Sequence, residues 1–182
     1  MHRRLFLRNL ACLAGGVLIN PASGLAAIQD TYLSKPRELW LKRKHTGEQD
    51  KVLYWDNGQY LIDGMTRLCI LTRDIESNQA VQMSPLLFDL IFASQELAVS
   101  HRMQRWFTVT SGYRAISTNS RTEGAAHLSR HQYGDAVDGY RENVGMTDNA
   151  RLFWALQSGG VGLYAGHVHA DVYKTRFWRK GV

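Results

Sequence analysis

The chain has 182 residues and carries 22 basic against 16 acidic side chains, for a formal net charge of +6. This length supports one domain with a substantial core and is too short for two comfortable domains. Basic residues form no stripe beyond the short run Lys42–Lys44, so we expect no nucleic-acid partner.

Residues 1–26 have the pattern of an export signal. The pair Arg3-Arg4 precedes an apolar run at Leu10–Ile19 and then small residues, which is typical of a twin-arginine signal. The run is shorter than the roughly 20 residues needed to span a bilayer, so we expect a cleavable signal and no stable membrane insertion after its removal. An ordinary secretory signal that carries two arginines is the alternative.

Loss of this signal would remove three arginines and no acidic residue, lowering the formal net charge from +6 to +3. A modest basic balance suits a protein that works near acidic cell-wall polymers, and we predict an exported, periplasmic protein. Residues 27–36 are predicted to be a tether and residues 37–182 a single domain. The mature chain would keep only Cys69, so no internal disulfide is expected.

The first half of the domain predicts two strands followed by two helices. Alternating or β-rich segments indicate strands at Glu38–Leu41 and Lys51–Trp55. Apolar residues at helical spacing predict a helix over Gln59–Arg73. Ser84 followed by Pro85 is a typical helix start, with a cap residue and Pro at the first helical position.

The second half predicts a loop, a helix and further strands. Ser117–Ala126 is polar and without periodicity, which indicates a loop. Gly159–Gly162 lacks the following Lys-Ser/Thr of a phosphate loop and is predicted to be a turn. Phe177 and Trp178 are expected to pack back on the core. The predicted fold is α+β, with helices packed on a small antiparallel sheet that carries a single zinc site. The remaining predicted elements are strands at Trp106–Thr110, Ala136–Tyr140 and His167–Asp171 and a helix opening at Thr147 and Asp148.

Two short segments offer metal ligands. On an extended strand His167, His169 and Asp171 share one face, because successive side chains point to opposite faces. Asp138 lies on an earlier predicted strand, and His131 lies in the loop that enters that strand. We predict that His131, Asp138 and His169 bind one Zn²⁺. Three protein ligands leave a fourth position for a water whose pKa the metal can lower to about 7.

A second ligand set is conceivable. His127, His131 and Asp135 would share one face if this segment were a helix. That set would leave Asp138 and His169 without a role, so we favour the first.

The motif Ser-x-His-x-x-Gly-x-Ala-x-Asp at residues 129–138, followed about thirty residues later by the His-x-His at 167–169, resembles the zinc D-alanyl-D-alanine metallopeptidase family, including its murein endopeptidases. The similarity runs from about residue 37 to 178 and includes Thr110–Arg114 and Gly159–Tyr164. The resemblance implies a zinc cofactor and a peptidoglycan peptide substrate.

The general base has two candidates. Some members of the family carry an acidic residue three positions before the last zinc ligand, where this chain has Gly166. Other members use the first His of His-x-His, which His167 matches, and Asp171 is the competing candidate. The resemblance also implies a catalytic role for Arg114, whose guanidinium could pair with a peptide carboxylate or stabilise an oxyanion.

Together these features predict an exported zinc metallopeptidase that hydrolyses amide bonds in peptidoglycan stem peptides or cross-links. A carboxypeptidase that trims a terminal D-alanine is one alternative. A zinc-stabilised murein-binding module without turnover is another, in which His167 or Asp171 would fill the fourth zinc position.

Overall fold

The computed structural model describes residues 35–181, so the predicted signal at 1–26 and most of the predicted tether at 27–36 lie outside the described residues. Within that range, no helix is both long and apolar enough to cross a membrane. The strands are β1 Arg37–Arg43, β2 Gln49–Asp56, β3 Gln59–Tyr60, β4 Phe107–Ser111, β5 Ala136–Tyr140, β6 Gly160–Tyr164, β7 Val168–Asp171 and β8 Arg176–Lys180. The helices are α1 Ile62–Leu71, α2 Pro85–Ser100, α3 Ile116–Arg121 and α4 Met146–Trp154, with a 3₁₀ turn at Arg130–Tyr133.

The eight strands form one sheet in the order β3-β2-β1-β4-β5-β7-β6-β8. The α+β class is confirmed, but the sheet is larger than predicted and is mixed, because β1 pairs with β4 and β6 pairs with β8 in parallel. The β1–β4 pair is joined by a crossover that contains α1 and α2. The β6–β8 pair arises because β7 occupies one side of β6 and the chain then crosses to the other.

The two faces of the sheet differ in chemistry. Helices α2 and α4 pack on one face, against β1 and β6, and the side chains of Val137, Val168 and Ala170 join the core there. Because side chains alternate along a strand, Asp138 and His169 point to the opposite face. The core also includes Leu39, Leu41, Phe88, Ile91, Val109, Phe153 and Leu163.

Three predicted elements need correction. The segment predicted as one helix at Gln59–Arg73 begins with the short strand β3, and α1 starts only at Ile62. The glycine-rich segment predicted as a turn is largely the strand β6, which begins at Gly160. The predicted loop at Ser117–Ala126 contains part of helix α3.

Helix α3 was missed because distant contacts stabilise it. It has no apolar stripe, and its only buried residue is Asn119. Asp74 Oδ2 accepts a hydrogen bond from the Ala115 backbone N–H at the helix start, at 2.9 Å. The Asn119 side chain donates to the Ala126 carbonyl beyond the helix end, at 3.0 Å. Local periodicity could not reveal a helix fixed in this way.

Candidate metal centre

The centre is formed by the register of two neighbouring strands and one 3₁₀ turn. Asp138 on β5 lies directly opposite His169 on β7 in the antiparallel pair. His131 lies in the 3₁₀ turn before β5. Asp138 Oδ1 is 2.8 Å from His169 Nδ1 and 3.2 Å from His131 Nε2, and the two imidazole nitrogens are 3.2 Å apart. All three side chains are buried, so the structure brings the predicted ligands together.

The partners of the outer ring nitrogens fix which atoms point inward. His131 Nδ1 lies 2.7 Å from the Gly112 carbonyl, which can only accept a proton. His169 Nε2 lies 3.1 Å from Asp171 Oδ2, a second acceptor. If each outer nitrogen donates, His131 Nε2 and His169 Nδ1 present lone pairs to each other and to the Asp138 carboxylate. Three acceptors this close together repel one another unless a metal ion or a shared proton lies between them.

The donor set fits zinc. Two nitrogens and one carboxylate oxygen form a common three-ligand arrangement for a catalytic zinc site, in which a fourth position is left to water. Ligand atoms about 2.1 Å from a tetrahedral ion lie roughly 3.4 Å apart, a little more than the separations of 2.8–3.2 Å found here. Among residues 35–181, this is the one group of His, Cys, Asp and Glu side chains close enough to hold a metal ion.

Electrostatics point to the same requirement for a cation. Burial alone would raise the pKa of Asp138, but the charges and hydrogen bonds of His131 and His169 hold it well below its ordinary value. Burial alone would lower the pKa of His169, yet its hydrogen bonds to Asp138 and Asp171 outweigh burial and raise the pKa to about 9. Without a metal the cluster therefore retains a proton.

Asp171 lies behind His169 rather than beside the converging ligand atoms. Its side chain is fully buried and accepts hydrogen bonds from Arg176 Nη2 at 2.6 Å and from the backbone N–H groups of Gly160 and Tyr173 at 3.0 and 2.9 Å. Burial would raise the pKa of Asp171, but hydrogen bonds from His169 and Arg176 hold it far below its ordinary value. Its oxygens are thus occupied on the far side of the His169 ring.

His167 lies at the entrance to the centre, one residue before β7. Its side chain is 32% exposed, and its Nε2 is 3.9 Å from Asp138 Oδ2. Burial lowers the pKa of His167 below its ordinary value, against the opposing charge of Asp138, so the imidazole is neutral near pH 7. The ring stacks on Tyr164, with centroids 4.5 Å apart and planes inclined by 12°.

Arg114 lies on the other side of Asp138. Its Nη2 is 3.4 Å from Asp138 Oδ2 and 3.2 Å from Ser111 Oγ, and its Nη1 is 3.4 Å from Asn119 Oδ1. The side chain also lines a cleft of about 510 Å³ that extends past Gly112 and α3. The guanidinium is thus held between the metal centre and an open cleft.

The alternative ligand set is not assembled. His127 is exposed, and Asp135 forms an ion pair with Arg130, so neither joins His131. Sequence reasoning also missed the surroundings of the histidines. Trp178 lies against His169, at 5.3 Å between ring centroids, rather than on the core; Phe177, by contrast, contacts Trp154 on the helical side.

Comparisons with known proteins agree with this geometry. Residues 31–178 match the family described as peptidoglycan L,D-endopeptidase MepK. The chain is similar to the peptidoglycan L,D-endopeptidase MepK of Escherichia coli strain K12, with 31% identity over 180 residues that cover 94% of this chain and 96% of the relative. It is also similar to the probable enzyme of that name from Haemophilus influenzae, with 30% identity, covering 96% and 94%. No solved structure gives a significant match.

Proposed function

Because this chain belongs to the family described as peptidoglycan L,D-endopeptidase MepK, we propose that it is an exported, zinc-dependent endopeptidase of peptidoglycan. Its substrate would be an amide bond between an L- and a D-configured residue in stem peptides or their cross-links. The observation that carries the proposal is the convergence of His131 Nε2, Asp138 Oδ1 and His169 Nδ1 beside an open cleft. The names of the relatives supply the substrate class.

Three atoms of the chain would hold the metal, namely His131 Nε2, Asp138 Oδ1 and His169 Nδ1. When bound there, Zn²⁺ would lower the pKa of a water molecule and polarise the scissile carbonyl. The carbonyl of Gly112 and the carboxylate of Asp171 would orient the two imidazoles from behind, as such outer partners commonly do for zinc-bound histidines.

His167 would act as the general base. It is neutral near pH 7 and partly exposed, and its Nε2 lies close to the ligand Asp138. A neutral imidazole in this position can take a proton from the attacking water and return it to the leaving amine. We favour His167 over Asp171, because the Asp171 oxygens already accept hydrogen bonds from His169 and Arg176.

Arg114 would stabilise the negative charge that develops on the substrate. Ser111 and Asn119 hold its guanidinium beside Asp138, so little reorganisation is needed when charge forms on the carbonyl oxygen. The adjoining cleft of about 510 Å³ lies within the usual size range of ligand pockets. It could accept one arm of the peptide.

The decisive experiment compares two purified cross-linked muropeptide dimers, one joined through an L,D bond and one through a D,D bond. We expect the zinc-loaded protein to convert the L,D-linked dimer to monomers, as measured by mass spectrometry. His167→Ala should bind zinc and fail to hydrolyse the dimer. Release of free alanine alone would instead indicate a carboxypeptidase. Binding without any product would indicate a murein-binding module, and either result would refute the proposal.

Export is a separate part of the proposal, and it rests on the pattern at residues 1–26 and on the peptidoglycan named for the relatives. Replacing Arg3 and Arg4 together by Lys should retain the protein in the cytoplasm if the twin-arginine route is used. Normal export of this double variant would indicate the ordinary secretory route. N-terminal sequencing of the exported protein would locate the cleavage site near Ala26.

A further inference from the structure

On the face that carries the metal centre, the strand β6 has no side chains at Gly160 and Gly162. Gly162 lies opposite His169 of β7 on one side and Trp178 of β8 on the other, and Gly160 lies opposite Arg176 of β8. A Cβ atom at position 162 would lie 2.5 Å from the Trp178 ring, which is too close for a real contact. Two side chains of the edge strand β8, Arg176 and Trp178, therefore reach across β6 towards β7.

Trp178 contacts both the predicted ligand His169 and the neighbouring Tyr164. Its ring lies against His169, with centroids 5.3 Å apart. Its indole Nε1 donates a hydrogen bond of 3.0 Å to the Tyr164 hydroxyl. The first contact is to a metal ligand, and the second fixes the outer end of the Tyr164 side chain.

Tyr164 in turn supports His167. The two residues face each other at the end of the β6–β7 hairpin, where the Tyr164 backbone N–H donates to the His167 carbonyl at 3.1 Å. Their rings are stacked, with an interplanar angle of 12°. Within residues 35–181, no hydrogen bond reaches the His167 ring, and its Nε2 is 3.9 Å from Asp138 Oδ2, beyond hydrogen-bonding distance. Among the described residues, the stack on Tyr164 is the ring contact that runs parallel to the plane of this imidazole.

We propose that Tyr164 and Trp178 are positioning residues that set the plane of the His167 imidazole for proton transfer. Tyr164 supplies the stacking surface, and Trp178 fixes the position of the Tyr164 ring by its hydrogen bond to the Tyr164 hydroxyl. Proton transfer requires an aligned donor and acceptor, and a base that rotates freely about χ2 would spend most of its time misaligned. The proposal rests on the proposed role of His167 as the base.

The kinetic test uses Tyr164→Leu, Tyr164→Phe and Trp178→Phe with the L,D-linked dimer. Tyr164→Leu removes the stack and should lower kcat about tenfold or more, because misplacement of a catalytic group can cost up to about 100-fold. Its KM and its zinc content should stay near those of the wild type. Tyr164→Phe keeps the stack and should restore most of kcat, with a remaining loss of about threefold.

The hydrogen bond itself is tested by a double-mutant cycle. Tyr164→Phe and Trp178→Phe each remove one partner of the same bond, so the double variant should be no slower than the slower single variant. Phe177→Leu is the matched control, because Phe177 lies on the same strand, faces Trp154 and is 39% exposed. It should hydrolyse the dimer like the wild type. Additive losses in the cycle would overturn the role of Trp178.

A measurement without turnover separates this proposal from the proposed function. Stacking on Tyr164 should shift the His167 ring-proton NMR signals upfield, and these signals are identified by their absence in His167→Ala. The shift should vanish in Tyr164→Leu and persist in Tyr164→Phe. An unchanged kcat in Tyr164→Leu, or a loss of kcat that follows loss of zinc, would overturn the proposal. If the wild type shows the shift but hydrolyses no dimer, the proposed function fails instead.

Discussion

Two neighbouring pairs of strands contribute to the metal centre in different ways. The inner pair, β5 and β7, carries Asp138 and His169, whose atoms point directly at the centre. The outer pair, β6 and β8, contributes no converging ligand atom. It provides space at Gly160 and Gly162, and it provides support through Arg176 and Trp178. One pair supplies two of the converging atoms, and the other supplies contacts that support them.

The largest effects should come from the ligands of the inner pair and the 3₁₀ turn. Replacing His131, Asp138 or His169 by Ala should abolish zinc binding and hydrolysis, because the site would keep only two of the three protein ligands that a catalytic zinc site uses. Metal analysis after dialysis measures the first effect. His127→Ala is the control, since this exposed histidine lies outside the cluster. Loss of zinc in His127→Ala would contradict the ligand assignment.

A smaller effect is expected where the outer pair supports the inner one. Asp171→Asn weakens the acceptor of His169 Nε2–H and leaves Arg176 without its carboxylate partner. Loss of such an outer partner typically weakens metal binding by about 10–100-fold, so zinc should bind more weakly but still stoichiometrically at high concentration. Competition with a chelator measures the change. Asp148→Asn, which alters an exposed ion pair on α4, should bind zinc like the wild type.

Proton release on zinc binding would report the protonation state of His169 on the inner pair. In the metal-free protein the pKa of His169 is raised to about 9, so zinc binding at pH 7 should displace about one proton from Nδ1. Apparent affinity should rise about tenfold per pH unit from pH 7 and level off near pH 9. Calorimetry in buffers of different ionisation enthalpy counts the proton. No release at pH 7 would show that His169 is already neutral.

The same pKa has a consequence for stability. Because the folded-state pKa lies above the unfolded value of about 6.5, the protonated His169 stabilises the metal-free fold fully below pH 6.5. That contribution is lost as the pH rises through about 9. The unfolding midpoint of metal-free protein should therefore fall over this range, while zinc-loaded protein should change less. Equal falls of the unfolding midpoint in metal-free and zinc-loaded protein would show that His169 is not the source of the pH dependence.

The smallest effect should follow from adding a side chain at Gly162 on β6 of the outer pair. Gly162→Ala places a methyl group within the space of the Trp178 ring. Because that ring is the far end of a side chain on an edge strand, it can move aside, and we expect a loss of kcat of only a few-fold with zinc retained. A variant with unchanged kcat and a displaced Trp178 would show that the position of this ring is immaterial.

The inner pair was accessible from the sequence. His169, Asp138 and His131 are polar residues at alternating or loop positions with a recognisable spacing, and the structure brings them together as that spacing predicts. Alternation along the same strand places Val168 and Ala170 on the opposite face, where they join the core. Such features depend on side-chain type and local geometry, which a sequence displays directly.

The pairing of the outer strands could not be predicted from the sequence in the same way. Its parallel pairing joins strands separated by β7, and no local pattern specifies that Trp178 should lie beside Gly162. The glycines of β6 were interpreted as a turn, because a residue without a side chain indicates flexibility as readily as space. The available signal was a spacing of two residues, which places Gly160 and Gly162 on one face of β6 and Arg176 and Trp178 on one face of β8. It becomes meaningful only when the register is known.

The strand β8 follows every predicted ligand in the chain, so the ribosome delivers it after all of them. A nascent or truncated polypeptide that stops before Arg176 would already contain all three ligands, yet the carboxylate that orients His169 would lack its guanidinium partner. The support of His169 by Asp171 and Arg176 would therefore be complete only once β8 has joined the sheet. A chain cut before Arg176 should therefore hold zinc less tightly than the full chain, although it keeps every predicted ligand.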